Sequence, residues 1–119
     1  MGKILVVDDA EFMRLRYRKL LVGEGHEVLE AGNGKEALKV FDMEQPDLVL
    51  LDITMPVMDG LEALREIRAR DGDANVVMSS ALGQESVVIA AIKGGAKDFL
   101  VKPFQPDKVL AIVNKFVSY

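Results

Sequence analysis

Pro46-Asp47-Leu48-Val49-Leu50-Leu51-Asp52-Ile53-Thr54-Met55-Pro56-Val57-Met58-Asp59-Gly60 is a short apolar run that stops on a carboxylate and then meets Pro56 and Gly60, which interrupt regular structure. The pattern predicts a strand over Asp47 to Leu51 with Asp52 at its C-terminal lip. In an open parallel α/β sheet that lip faces a crevice where ligands bind, not packed core. The fold then turns on whether the flanking segments alternate strand and helix.

They do. Lys3 to Val7 is nearly continuous apolar sequence closed by Asp8-Asp9, as expected of a strand buried on both faces. From Glu11 to about Val22, Met13, Tyr17, Leu20 and Leu21 recur at helical spacing until Gly23 and Gly25. Glu27 to Ala31 is a shorter, more polar strand. Gly32-Asn33-Gly34 is a turn in which Asn33 can cap a helix over Lys35 to about Met43, with Ala37, Leu38 and Phe41 on one stripe. After the opening stretch, Gly60 to about Arg70 reads as helix with Leu61, Leu64 and Ile67 buried. Asn75 to Ser79 reads as strand, Ser80-Ala81-Leu82-Gly83 as loop, and Gln84 to Lys93 as helix closed by Gly94-Gly95. Asp98 to Val101 is a fifth strand. Lys102-Pro103-Phe104-Gln105-Pro106 is a rigid loop, and a last helix opening at Pro106 or Asp107 turns Val109, Leu110, Ile112, Val113 and Phe116 toward the core.

Five β/α units imply an α/β fold with a doubly wound, five-stranded parallel sheet, since each crossover must be long and right-handed. The strands richest in Ile, Leu and Val are the first and third and belong at the centre. The second suits an edge, which favours strand order 2-1-3-4-5. In that order the chain reverses direction between strands one and three, and the crevice opens at their C-terminal ends, where Asp8-Asp9 and Asp52 stand.

The totals bound the classes. A chain of 119 residues, half of them hydrophobic and 29% charged, fits one domain over residues 1–119 and has no apolar run of the roughly 18 residues a membrane helix needs. It has no cysteine, which excludes disulfides, thiol nucleophiles and thiolate metal sites. Met1-Gly2-Lys3 leads directly into a strand without a signal-peptide pattern, so a cytoplasmic location is expected. The formal charge of -4 gives no footprint for nucleic acid, and the run of Arg14, Arg16, Arg18 and Lys19 reads as a solvated helix face.

Two unit charges about 4 Å apart repel by roughly 4 kcal/mol at an effective dielectric of about 20, so three carboxylates cannot share a crevice unremedied. Either one stays protonated or a cation sits among them. A hard divalent ion is the natural choice, and Mg2+ takes carboxylates and water and bridges to phosphoryl groups. The backbone carbonyl of Thr54 offers a further oxygen. Ser79 or Ser80 at the end of strand four adds a hydroxyl, and Lys102 at the end of strand five adds a fixed cation. Metal, serine and lysine would account for the three oxygens of a phosphoryl group in transfer, with Asp52 as nucleophile. Each residue alone has a plainer reading: Asp9 as helix cap, Asp52 as turn-former, Ser80 as loop residue, Lys102 as solvated lysine. Their joint placement after strands one, three, four and five is what carries the inference. Pro103 also allows a cis bond after Lys102, the minority isomer.

These residues resemble the receiver domain of bacterial two-component response regulators, most closely the stand-alone chemotaxis type. The resemblance spans essentially the whole chain: Val6-Val7-Asp8-Asp9, Leu50 to Pro56 with Met58-Asp59-Gly60, Ser80-Ala81, Gly94-Gly95-Ala96-Lys97-Asp98-Phe99, and Lys102-Pro103-Phe104. It implies a flavodoxin-like fold and a phosphorylation switch, not an enzyme acting on a separate substrate, although such a domain assists its own phosphorylation and dephosphorylation. Asp52 would be the phosphoacceptor. Asp9 would bind Mg2+ directly, Asp8 mostly through water, and Thr54 through its carbonyl. Ser80 would be the switch hydroxyl, Lys102 the phosphoryl contact and Phe99 the switch aromatic. Thr54 and Leu82 occupy the positions that tune dephosphorylation, and Ser80 replaces the threonine of many relatives. A histidine kinase, of chemotaxis type, would be the donor. The output would be a flagellar switch or other protein, bound at the face of helix four, strand five and the last helix. Met78, Val87 and Val88 are not assigned to that face or to the core. The chain is expected to be a monomer that contacts neither nucleic acid nor membrane directly. A phosphorelay intermediate and a receiver fragment of a transcriptional regulator remain alternatives. A metal-dependent phosphatase needs a second acid/base carboxylate two residues after its nucleophile, where this chain has Thr54.

Overall fold

The computed structural model of the chain describes residues 2–55, 57–81, 85–103 and 105–117. Five strands alternate with five helices: β1 (Lys3–Val7), α1 (Glu11–Gly23), β2 (Glu27–Ala31), α2 (Gly34–Glu44), β3 (Leu48–Asp52), α3 (Gly60–Arg70), β4 (Val76–Ser80), α4 (Glu85–Lys93), β5 (Asp98–Val101) and α5 (Pro106–Phe116). All strand pairings are parallel and the order is β2-β1-β3-β4-β5, as expected.

Successive side chains of a strand face opposite sides of the sheet, so each buried strand feeds two cores. Ile4, Val6, Leu48, Leu50, Val77 and Leu100 pack under α1 and α5, against Met13, Tyr17, Leu21, Val109 and Val113. Leu5, Val7, Val49, Leu51, Val76 and Met78 pack on the other side, against α2, α3 and α4 through Ala37, Phe41, Leu64, Ile67 and Ala91. Met78 is thereby a core residue, and Val87 packs against that core half-buried. Leu20, Leu61, Leu110 and Phe116 are only partly buried. In α3, Ala63 joins Leu64 and Ile67 in the line that Leu61 was expected to share.

Two strand ends differ from the sequence reading, and both differences bear on the site. β3 and β4 each run one residue further, to Asp52 and Ser80, because backbone pairing continues where the apolar pattern has stopped. Asp52 pairs with Ser79, Ile53 N–H donates to the Ser79 carbonyl (3.0 Å), and Lys102 N–H donates to the Ser80 carbonyl (2.9 Å). Ser80 is therefore a buried strand residue, not a loop residue. At the other end Asp47 leaves the ladder, and its side chain accepts a hydrogen bond from Lys3 N–H (2.8 Å). Asn33 caps α2 as expected, its Oδ1 accepting from Glu36 N–H (2.9 Å). α1 instead starts from Ala10, so Asp9 is not its cap. The expectations placed on Pro56, Leu82, Gly83, Gln84 and Phe104 fall outside the described residues.

Candidate functional site

The topology brings the C-terminal ends of β1, β3, β4 and β5 to one edge, and the carboxylates gather there. Asp8, Asp9 and Asp52 each present an oxygen, and these oxygens all lie within 4.8 Å of one another. Asp8 and Asp52 are buried and Asp9 is exposed. The Lys102 ammonium lies 3.0 Å from Asp8 Oδ2 and 3.4 Å from Asp52 Oδ2. It partly answers the charge problem that the sequence posed. The Lys102–Pro103 peptide bond is cis.

Local structure holds each acid in place. Asp8 Oδ1 accepts from Ala10 N–H (2.9 Å), turning the chain from β1 into α1. Asp52 is held from behind by α3, whose first residue, Gly60, donates its N–H to the Ile53 carbonyl (2.7 Å). A Cβ at position 60 would overlap the Asp52 carbonyl oxygen and stand 2.6 Å from the Ile53 Cα, so the close approach of helix to strand requires glycine. Thr54 follows on the loop and is exposed.

Burial pushes the Asp52 carboxyl up to about 6; Lys102 opposes the rise, and Asp8 and Asp9 add to it. Burial alone would lower the Lys102 ammonium, but its hydrogen bond to Asp8 and the charge of Asp52 carry it above its usual value. An acid raised to about 6 beside a lysine in this way is largely ionised at neutral pH. Three convergent carboxylates, one exposed, suit a hard divalent cation that keeps part of its water shell.

The two serines, which the pattern left as alternatives for the hydroxyl, face opposite sides of β4. Ser79 is buried and lies opposite Asp52 in the β3/β4 register. Ser80 is buried and joined through its carbonyl to Lys102. Phe99 is half-buried. It pairs with Met78 and borders a crevice with Val101, Lys108, Ile112 and Lys115.

Two residues near the site were assigned other places from sequence. Tyr17 reads there as one member of an apolar stripe, yet it also lines a crevice with Lys102, and its phenol, pushed up by burial, feels the charges of Lys102 and Asp8. The signal was its chemistry, since a buried phenol needs a partner that leucine would not. Arg14 reads as part of a solvated basic face. Its Nη1 in fact donates to the Asp8 carbonyl (2.7 Å) and its Nε to Glu30 (3.1 Å), while Arg18 Nε donates to the other Glu30 oxygen. Only Arg16 and Lys19 of that run are exposed.

The response regulator receiver domain, as a family model, matches residues 4–114. The chain belongs to the response regulator receiver domain family. This receiver is 54% identical over 117 residues to the chemotaxis protein CheY of Bacillus subtilis, covering 98% of each chain. Its fold superimposes on the Vibrio cholerae chemotaxis protein CheY4 with a TM-score of 0.93 at 29% identity, covering 98% of this chain and 99% of that one. It also matches a structure of the CheX-CheY-BeF3-Mg+2 complex from Borrelia burgdorferi, with a TM-score of 0.91 at 38% identity, over 98% of this chain and 90% of that one. The receiver is thus part of two-component signal transduction and closely related to CheY chemotaxis proteins. Among its described residues no helix is long and apolar enough to cross a membrane.

Proposed function

We propose that this receiver is a phosphorylation switch in chemotaxis or motility control, accepting a phosphoryl group on Asp52 from a histidine kinase in the cytoplasm. The observation that carries the reading is the convergence of Asp8, Asp9 and Asp52 with the Lys102 ammonium among them. A carboxylate oxygen of Asp52 attacks the phosphorus of a phosphohistidine. The P–N bond breaks, its electron pair stays on the imidazole nitrogen, which takes a proton from solvent, and an acyl phosphate remains on Asp52. Lys102, 3.4 Å from Asp52 Oδ2, faces the charge that develops on the phosphoryl oxygens, and the Ser80 hydroxyl is a second donor. Asp8, Asp9, Asp52 and the Thr54 carbonyl would hold Mg2+, which when bound would supply positive charge to neutralise the carboxylates and the phosphoryl group together.

Drawing Ser80 and Lys102 toward the phosphate shifts a two-state equilibrium that Phe99 reports to the surface. The output face of α4, β5 and α5 suits a protein partner such as a flagellar switch component. Ile89 and Ile92 of α4 and Val101 of β5 are exposed apolar residues, and Val101 borders the Phe99 crevice. The chain acts as a monomeric switch and not on a separate substrate. Phosphotransfer from an autophosphorylated chemotaxis kinase, followed by binding to a flagellar switch protein and to a histidine phosphotransfer domain, tests this. Label should move to the parent chain, not to Asp52→Asn, and should raise affinity for the switch protein. No transfer to a folded, Mg2+-replete parent overturns the reading, and onward transfer to the phosphotransfer domain without switch binding favours a relay.

A further inference from the structure

Asp9 is the exposed member of the carboxylate cluster, so its direction is set less by packing than by the backbone it leaves. Three hydrogen bonds enclose that backbone. Ala10 N–H donates to Asp8 Oδ1 (2.9 Å), Arg14 N–H donates to the Ala10 carbonyl one helical turn back (3.2 Å), and Arg14 Nη1 donates to the Asp8 carbonyl (2.7 Å). The Asp8 carbonyl belongs to the peptide bond that joins Asp8 to Asp9. A peptide is planar, so a charged donor on that oxygen fixes the plane from which Asp9 departs. Arg14 is held in turn from β2. Its Nε donates to Glu30 Oε1 (3.1 Å), Arg18 Nε donates to Glu30 Oε2 (2.6 Å), and Arg18 Nη2 donates to the Val28 carbonyl (3.2 Å). Burial would raise the Glu30 carboxyl, but the hydrogen bonds from Arg18 and Arg14 carry it below its usual value, so it is ionised at neutral pH.

We propose that Arg14 is a positioning residue for Asp9 as a metal ligand: its guanidinium, braced on Glu30, closes the turn from β1 into α1 through the Asp8 carbonyl and aims the Asp9 carboxylate toward Asp8 and Asp52. Arginine suits this place because its planar fork presents Nε and Nη1 in fixed directions, so one group serves the Glu30 carboxylate and the Asp8 carbonyl together. A lysine offers a single nitrogen on a flexible stem. Ligands already in place bind an ion more tightly than ligands that must be ordered when it arrives. Arg14 is not itself a ligand, and its positive charge alone would oppose a cation. Positioning and charge therefore act in opposite directions at this residue, which makes the two separable. The part played in holding Mg2+ rests on the metal site proposed above; the ordering of the Asp8–Asp9 peptide does not.

Two measurements on the same variants test this. In the metal-free chain the Asp8 carbonyl 13C resonance should move upfield in Arg14→Met and stay in place in Arg18→Met, which removes the other arginine of Glu30 but no donor to Asp8. No movement in Arg14→Met, or the same movement in both, overturns the proposal. Mg2+ titration followed by backbone amide shifts should then give Arg14→Met an affinity roughly three- to tenfold weaker than the parent's, the worth of one hydrogen bond. Arg18→Met should bind as the parent does or slightly more tightly. An Arg14→Met chain that binds Mg2+ as well as the parent, or better, would mean that Arg14 acts only through its charge. Equal weakening in both variants would mean that the Glu30 network acts through general packing. Either result overturns the proposal. Arg14→Lys keeps the charge but not the fork, and its affinity should fall between those of the parent and Arg14→Met. Should Arg14→Met not fold, parent affinity in Arg14→Lys overturns the proposal by itself. A parent that binds no Mg2+ overturns this proposal together with the metal site of the proposed function, whereas a binding parent beside an unweakened Arg14→Met overturns this proposal alone.

Discussion

Asp52 carries an electrostatic cost that depends on pH. It is 4% exposed, lies beside Asp8 and Asp9, and titrates near 6 instead of its ordinary 3.8. Because the folded chain holds this proton more tightly than the unfolded one, folding takes up protons between about pH 4 and 6, and stability falls as pH rises through that window. Above it the cost is fully present. Asp52→Asn removes the charge, so with a chelator present the variant should be more stable than the parent at pH 8, by on the order of 1 kcal/mol once solvent screening is allowed for. Urea midpoints should converge as pH falls toward 4, and an equal gap at pH 8 and pH 4.5 would contradict this. Val57 is a second local cost. A β-branched residue at φ 70° is strained, and at 77% exposure it has little packing to offset that strain. Val57→Gly should raise the urea midpoint, worth about 1 kcal/mol, and an unchanged or lower midpoint would count against strain there.

The site is a contact between elements: β3 delivers Asp52, α3 braces it, and α1 carries Arg14 and Tyr17 to its rim. Gly60→Ala forces α3 off the Asp52–Ile53 backbone and should cost about 2 kcal/mol or more, with phosphorylation falling further than stability because the acceptor itself moves. Urea unfolding and acetyl phosphate kinetics read the two effects, and wild-type values for both would mean that the helix has slack which the close approach denies. Hydrophobic periodicity located every strand and helix, yet it ended β3 and β4 one residue early. Asp52 and Ser80 are polar, and only pairing with β4 and with Lys102 keeps them in the sheet. The same limit hid Arg14 and Tyr17. Spacing along a helix tells which face a residue is on, but not which carbonyl or charged side chain awaits it on another strand.

At the scale of the molecule, the order β2-β1-β3-β4-β5 explains why residues as distant in sequence as Asp8, Asp52 and Lys102 meet, and this was legible from strand composition alone. The switch role proposed for Phe99 was not, since a half-buried aromatic on β5 reads from pattern as a packing residue; the proposal for it comes from the family resemblance. The proposed switch would need little energy: a tenfold population shift takes about 1.4 kcal/mol, within reach of one charge-assisted hydrogen bond. Ser80→Ala should therefore leave phosphorylation of Asp52 nearly intact but remove most of the gain in partner affinity, measured by titrating a flagellar switch protein with and without phosphorylation. Full retention of that gain would place the coupling elsewhere. The account as a whole stands on Asp52 as phosphoacceptor. The most direct test is intact mass after incubation with acetyl phosphate, with and without Mg2+, on the parent chain and on Asp52→Asn. The account predicts a single Mg2+-dependent phosphoryl adduct on the parent and none on the variant. A folded, Mg2+-replete parent that gains no adduct, or an adduct that survives in Asp52→Asn, would contradict it.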